Sequence, residues 1–281
     1  MKYREGYDYG KEQLQQAEIA DAKLDARLLL EYICHTDRNT LLAHGDREVT
    51  EAECNSYVNL IKQRKRHIPL QYLTGEQDFM GLHFQVSPAV LIPRQDTEIL
   101  VEEVMRDLHD GMSILDLCTG SGCILISLLH YTNDCTGTGV DISSKALEVA
   151  KKNAKRLVET EKITFIESDL FTQVQGSFDR IVSNPPYIAS EMIKTLMSEV
   201  KDHEPMLALD GMADGLFFYR EIIANAHRHL NGGGMLFLEI GFDQAEAVSR
   251  LMEQNGFTEV TVVKDLAGLD RVVHGTLAGR H

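Results

Sequence analysis

The stretch "ILDLCTGSGCI" (Ile114–Ile124) decides the fold. An apolar strand that carries Asp116 runs into a loop bearing Gly120 and Gly122, and a helix follows. That order describes the first strand-to-helix turn of a doubly wound sheet, the turn that faces the ligand crevice. The two glycines permit tight turning and close backbone approach to a ligand. The dinucleotide pattern G-x-G-x-x-G begins at Gly120 and Gly122 but fails at Leu125, so a pyrophosphate binder is a poor match. Asp116 also sits badly beside a dianion and suits a cationic ligand.

Outward from this loop the chain alternates. Strands are predicted at 113–117, 136–142, 163–169, 178–184 and 234–240, with helices over "SSKALEVAKKNAKRL" and "GLFFYREIIANAHRHL". Apolar strands separated by amphipathic helices predict an α/β fold whose parallel sheet is covered on both faces. The last two stretches, "FTEVTVVKD" and "RVVHGTLAG", have no helix between them and predict an antiparallel pair at the sheet edge.

The first 70 residues read as helical. "DAKLDARLLLEYI" (Asp21–Ile33) places Ala22, Leu24, Leu28 and Tyr32 on one stripe, and Thr50 with Glu53 has capping-box spacing. "IPLQYLTGEQDFMGLHFQVSPAVLIP" reads as a linker with a β-hairpin, after which a helix resumes with Asp96 or Thr97 as its cap. The expected division is a helical substrate-recognition domain over 1–70, a hairpin linker over 71–93 and a catalytic domain over 94–281. The basic run "KQRKRH" (Lys62–His67) is either a solvated helix end, with cations near the negative dipole pole, or a docking surface.

With 43% hydrophobic and 25% charged residues among 281, the composition is that of a soluble globular protein. No apolar run is long enough to span a membrane, and the opening "MKYREGYDYGKEQ" lacks the apolar core of a secretory leader. The net charge of −15 argues against a protein built mainly to grip duplex nucleic acid. Five cysteines without a C-x-x-C pair suggest neither disulfides nor a zinc ribbon, so reduced thiols in the cytoplasm and no metal are expected.

Three further strand ends share the rim with the loop. Asp141 closes the next strand, where a carboxylate can accept both hydroxyls of a ribose. An adenosyl group carrying positive charge describes S-adenosylmethionine, although an ordinary turn with a capping acid stays open. "ESDLF" (Glu167–Phe171) offers Asp169 and Leu170 beside an adenine ring. The fourth strand ends in "SNPPYI" (Ser183–Ile188). A planar NH2 is a poor nucleophile because its lone pair is delocalised, so a site must orient it for methyl transfer. The Asn184 side-chain oxygen and the Pro185 carbonyl can accept its two N–H bonds, and the prolines hold those acceptors rigid. Tyr187 can pack on the flat face of the substrate group. Positioning and electrostatics then carry the rate, without a strong general base.

"DLCTGSG" with "NPPY" resembles the class I S-adenosylmethionine-dependent methyltransferases that act on exocyclic or amide nitrogen. The wider pattern, "RHIPLQYLTGEQDFMGLHFQV", "LIPRQDTEILVE", "HEPMLALDGMADGLFFYR" and "LEIGFDQ", resembles the HemK/PrmC protein-(glutamine-N5) methyltransferases. The resemblance implies a Rossmann-like, mostly parallel seven-stranded sheet with an antiparallel edge strand, plus a small N-terminal helical domain. It implies methylation of the glutamine in the Gly-Gly-Gln motif of class 1 peptide chain release factors, with S-adenosylhomocysteine as product. The methionine part of the cofactor would lie on Cys118, Thr119, Gly120, Ser121 and Gly122 beside Asp116, its ribose on Asp141 and its adenine near Leu170. Asn184, Pro185, Pro186 and Tyr187 would form the substrate pocket, with Asn184 also beside the cofactor, and Arg94 and Glu98 would brace the entrance. There are three departures from the pattern: Cys118 and Met212 each stand where glycine is usual, and Gln95-Asp96 replaces Pro-Glu. Two other readings remain, an adenine- or guanine-amino methyltransferase of nucleic acid and a non-catalytic nucleoside-binding module.

Overall fold

The computed structural model describes residues 1–278 and forms two compact units. One comprises Met1–Glu76 with Met197–His203, the other Gln77–Leu196 with the chain from Glu204 onward. Gly279, the last residue of the predicted final stretch, lies outside the described residues.

The first unit is helical, with helices Tyr3–Gln16, Ala22–Cys34, Arg38–Ala43, Glu51–Arg64 and Leu70–Thr74. Leu14, Leu29, Leu30, Tyr57 and Ile61 form its core, all fully buried. The capping box forms as expected: Thr50 Oγ1 accepts from the Glu53 amide, and Glu53 Oε2 accepts from the Thr50 amide at 2.8 Å. The second helix forms where predicted but buries a different face. Leu24 is 43% and Tyr32 45% exposed, while Ala22, Asp25, Ala26, Leu29 and Leu30 point inward. The true stripe is continuous at helical spacing, but an acid at position 25 disguises it in the sequence.

That acid explains the basic run as well. Arg64 is buried, donating from Nε to Asp25 Oδ2 at 2.7 Å and from Nη2 to Glu199 Oε1 at 2.5 Å. Burial pushes the Asp25 carboxyl above its usual range, although Arg64 pulls the other way. Only part of "KQRKRH" is therefore solvated: Lys62 and Arg66 are exposed, and Arg64 is not.

The second unit opens with the hairpin of β1 (Glu76–Phe79) and β2 (Leu82–Gln85). The remaining strands are β3 (Ser113–Leu117), β4 (Thr136–Asp141), β5 (Ile163–Glu167), β6 (Phe178–Ser183), β7 (Leu230–Glu239), β8 (Phe257–Lys264) and β9 (Asp270–Leu277). They make one sheet in the order β5-β4-β3-β6-β7-β9-β8, parallel except for β9, which is antiparallel to both β7 and β8. Successive side chains on a strand face opposite ways, so the sheet feeds two cores. Ile114, Val182, Phe237 and Val272 join Leu100, Val104 and the helix Cys123–Tyr131 on one face. Leu115, Leu117, Ile181, Leu236, Leu238 and Val273 join Tyr219, Ile222 and Val248 on the other. The expected sheet and antiparallel edge pair both form. β7 begins four residues earlier than expected, because the preceding helix stops at Ala226.

The hairpin belongs to this unit through Phe79 and Phe84, both buried and packed edge to face with ring centroids 6.0 Å apart. The expected cap after Pro93 does not form. A short 3-10 turn, Gln95–Thr97, leads into the helix Glu98–Arg106, and neither Asp96 nor Thr97 caps it by a side chain. No helix among the described residues is long and apolar enough to cross a membrane.

Removing one partner of a buried ion pair strands the other charge. Arg64→Ala should therefore cost about 3 to 5 kcal/mol, read as a lower urea midpoint for the helical unit; a loss below about 1 kcal/mol, the range of exposed pairs, would contradict this placement.

Candidate active site

In the sheet order, connections leave β3 toward β4 on one side and β6 lies on the other, so the strand order reverses between β3 and β6. Ligands of such sheets bind beyond the carboxyl ends of the strands at that reversal. Leu117 pairs with Ser183 in register, and Ser183 Oγ donates to the Leu117 carbonyl at 2.7 Å. The glycine loop and the Asn-Pro-Pro-Tyr corner thus leave the sheet side by side.

The loop is held by its own polar groups. Thr119 donates from its amide to the Val140 carbonyl at 2.9 Å and from Oγ1 to Asp116 Oδ2 at 2.6 Å. The Gly120 amide donates to Asp141 Oδ2 and the Ser143 amide to Asp141 Oδ1, both at 2.9 Å. Burial raises the Asp141 carboxyl, while those amides act against it. Asp116 is fully buried; burial pushes it up to about 7, and its Oδ1 has no hydrogen-bond partner. Asn153, also fully buried, clamps the hairpin to the loop. Its Oδ1 accepts from the Gln85 amide at 2.7 Å, and its Nδ2 donates to the Gln85 and Ser121 carbonyls at 3.0 and 2.9 Å.

A cavity of about 400 Å³ opens on this rim. Of the residues expected from the sequence, Cys118, Thr119, Gly120, Ser121, Asp141, Leu170, Asn184 and Pro186 line it. Asp116, Gly122, Pro185 and Tyr187 stand behind the lining. Gly122 has φ +81, and a Cβ there would lie 2.7 Å from Ile126, so its glycine serves the turn and the helix start. Tyr187 packs against the core beneath β6 and β7, where burial pushes its hydroxyl up to about 12. Asp169 and Arg94 also line the cavity, Arg94 paired with the buried Glu204. Glu98 braces the hairpin turn instead, accepting from the Met80 amide at 2.6 Å.

The corner is buttressed from outside. Gln244 Nε2 donates to the Tyr187 carbonyl at 3.0 Å, and Ile188 pairs with the 209–211 strap through two backbone bonds. A Cβ on Gly215 would come within 2.4 Å of the Tyr187 carbonyl oxygen, so only glycine permits that approach. Asn184 Nδ2 donates to Thr97 Oγ1 at 3.3 Å.

Sequence reasoning missed Thr97 as a site residue, Asn153, and the buried Glu239 that ends β7. The signal for Glu239 was legible: one acid closing an apolar strand, the same pattern that identified Asp116. Apolar walls with the Asp141 and Asp169 carboxylates at one end fit a nucleoside bearing a positive charge. Among the described residues no cluster of His, Cys, Asp and Glu could hold a metal ion.

Residues 5–75 match the PrmC N-terminal domain, and residues 94–269 match the methyltransferase small domain. The release factor glutamine methyltransferase of Clostridium botulinum is 41% identical over 265 residues, covering 92% of this chain and 94% of that one. Its counterpart in Geobacter sulfurreducens is 38% identical over 275 residues, covering 98% and 96%. A methyltransferase structure from Pyrococcus furiosus aligns with TM-score 0.52 at 17% identity, over 71% of this chain and 91% of that one, a likeness of fold.

Two of the three departures noted in the sequence have a backbone consequence. Cys118 has φ +60 and Met212 φ +68, the left-handed region that favours glycine. A side chain there costs roughly 1 to 2 kcal/mol. Cys118→Gly should unfold at higher denaturant than Cys118→Ala, by about 1 kcal/mol; equal midpoints would show that the loop is unstrained.

Proposed function

The chain belongs to the release factor glutamine methyltransferase family, and from that premise we propose that it transfers a methyl group from S-adenosylmethionine to the side-chain amide nitrogen of the glutamine in the Gly-Gly-Gln motif of class 1 peptide chain release factors. The reaction runs in the cytoplasm and leaves S-adenosylhomocysteine. The observation that carries this reading is the side-by-side exit of the glycine loop and the Asn184 corner from the paired ends of β3 and β6.

When bound, S-adenosylmethionine supplies an electrophilic methyl group on a sulfonium. Asp141 would hold its ribose hydroxyls, Leu170 its adenine, and the loop Cys118–Gly122 its methionine part, with Asp116 behind. Asn184 does the orienting work. Its Nδ2 is engaged by Thr97, which leaves Oδ1 to accept one N–H of the substrate amide. The Pro185 carbonyl accepts the other. With both N–H bonds held, the nitrogen pyramidalises toward the methyl donor, and the proton leaves to water once the N–C bond has formed. Tyr187 supports the corner from beneath. The fixed acceptors need no reorganisation during the step, which is how such sites accelerate reactions.

We assign substrate recognition to residues 1–70, a linking role to 71–93 and transfer to 94–281. The helical unit has a groove where Arg4, Lys23 and Arg38 stand beside the exposed Leu24 and Leu42, a mixture that suits a protein surface. The net charge of −15 opposes a nucleic acid substrate.

Labelled methyl should enter purified release factor and disappear when its Gly-Gly-Gln glutamine is replaced; label entering only DNA or RNA would overturn the reading. Asn184→Ala should lower kcat roughly 100-fold or more while S-adenosylmethionine affinity holds, and an unchanged kcat would remove the amide clamp.

A further inference from the structure

Glu239 closes β7 at the same rim and is 1% exposed, yet the chemistry above leaves it unused. Its backbone carbonyl accepts from the Tyr219 hydroxyl at 2.9 Å. Ser183 pairs with Leu238 in the parallel register of β6 and β7, so Asn184 and Glu239 leave the sheet as neighbours. The Glu239 carboxyl stands beside the Thr97 hydroxyl and the Asn184 amide, while Oε2 has no hydrogen-bond partner. An acid buried at this depth is costly unless something depends on it.

The donors and acceptors can be counted. Asn184 brings two N–H bonds and one oxygen. One N–H goes to Thr97 Oγ1 at 3.3 Å. The Thr97 hydroxyl keeps its own proton to donate, and the Glu239 carboxylate stands beside it. The Asn184 amide lies at the same carboxylate, at the paired ends of β6 and β7. With Nδ2 held by Thr97 and the carboxylate at its side, Oδ1 is the end left for the cavity. A neutral group at 239 would reverse the logic, because its own hydrogen could bond Asn184 Oδ1 and turn the NH2 outward, donor against donor.

We propose that Glu239 is a positioning residue for the transfer step: with Thr97 it fixes the Asn184 amide so that Oδ1, and not the NH2, meets the substrate amide. The inference rests on the glutamine-methylation reading and deepens it. Burial raises the Glu239 carboxyl to about 7, opposed by Thr97, Arg271 and Asn184 and aided by Asp96. The charged and titratable groups around it are Asp96 from the turn before Glu98, Cys123 from the first loop's helix, Tyr187 from the corner, Tyr219 from the helix Phe217–Ala226, and Arg271 from β9. Arg271 is itself engaged by Asp265 at 3.0 Å and Asp96 at 3.2 Å, so it only partly neutralises Glu239.

The test compares wild type with Glu239→Gln, Thr97→Val and Thr97→Ser in the full chain. Losing a hydrogen bond to a charged group should lower kcat for release factor roughly 10- to 100-fold in Glu239→Gln and Thr97→Val, with KM and cofactor affinity unchanged, and Thr97→Ser should restore it. A folded carboxyl raised to about 7 takes up its proton as pH falls through that value. Wild-type kcat should therefore decline below about pH 7, and the low Glu239→Gln rate should be flat there. Independently of any substrate, the ¹⁵N signal of the Asn184 side chain, assigned by its loss in Asn184→Ala, should titrate near pH 7 in wild type and not in Glu239→Gln. Wild-type kcat and pH profile in Glu239→Gln, or an Asn184 signal that ignores pH in wild type, would overturn the proposal. Should Glu239→Gln fail to fold, full activity in the near-isosteric Thr97→Val would overturn it equally. A wild-type enzyme inert on release factor would sink the glutamine reading alone, and the Asn184 titration would still decide the wiring.

Discussion

The register of β3 against β6 is the constraint on which the site depends. Leu117 opposes Ser183, and the Ser183 hydroxyl ties the two strand ends together at 2.7 Å. A one-residue slip would send every side chain of either strand to the opposite face. Leu115 and Ile181 would leave one core and Ile114 and Val182 the other, so burial on both faces enforces the register. Because the strands are parallel, both chains emerge at one rim. The hydrophobic cores thereby set the distance between the glycine loop and the Asn184 corner.

Around that rim the protein buries polar groups that a purely structural sheet would avoid. Asp116 and Glu239 end or nearly end apolar strands, are almost wholly buried, and each keeps one oxygen without a partner. Burial moves both to about 7, far from their value in water. Uncompensated groups of this kind lower stability and gather where function requires them. Asn153 is the contrasting case. It is equally buried, but its amide is saturated by Gln85 and Ser121, and its work is to pin the hairpin to the loop.

Much of this was legible in the sequence, for identifiable reasons. The sheet was readable because its strands are nearly continuous apolar runs, and the rim because Asp116, Asp141 and Asn184 each follow such a run. What failed to read were polar residues acting through tertiary contact. Asp25 looked like the solvent side of its helix because its partner, Arg64, lies far along the chain. Thr97 looked like a cap, but its hydroxyl serves Asn184. Backbone conformation was hidden too: nothing local announces that Cys118 and Met212 adopt left-handed φ, and only the resemblance flagged those positions.

The central claim is that one rim holds the methyl donor and orients a planar amide beside it. A crystal structure of the full chain with S-adenosylhomocysteine and a Gly-Gly-Gln peptide tests this most directly. The account predicts the glutamine nitrogen at hydrogen-bond distance from both Asn184 Oδ1 and the Pro185 carbonyl, facing the cofactor sulfur. A glutamine bound elsewhere, or the Asn184 NH2 turned toward it, would contradict the account.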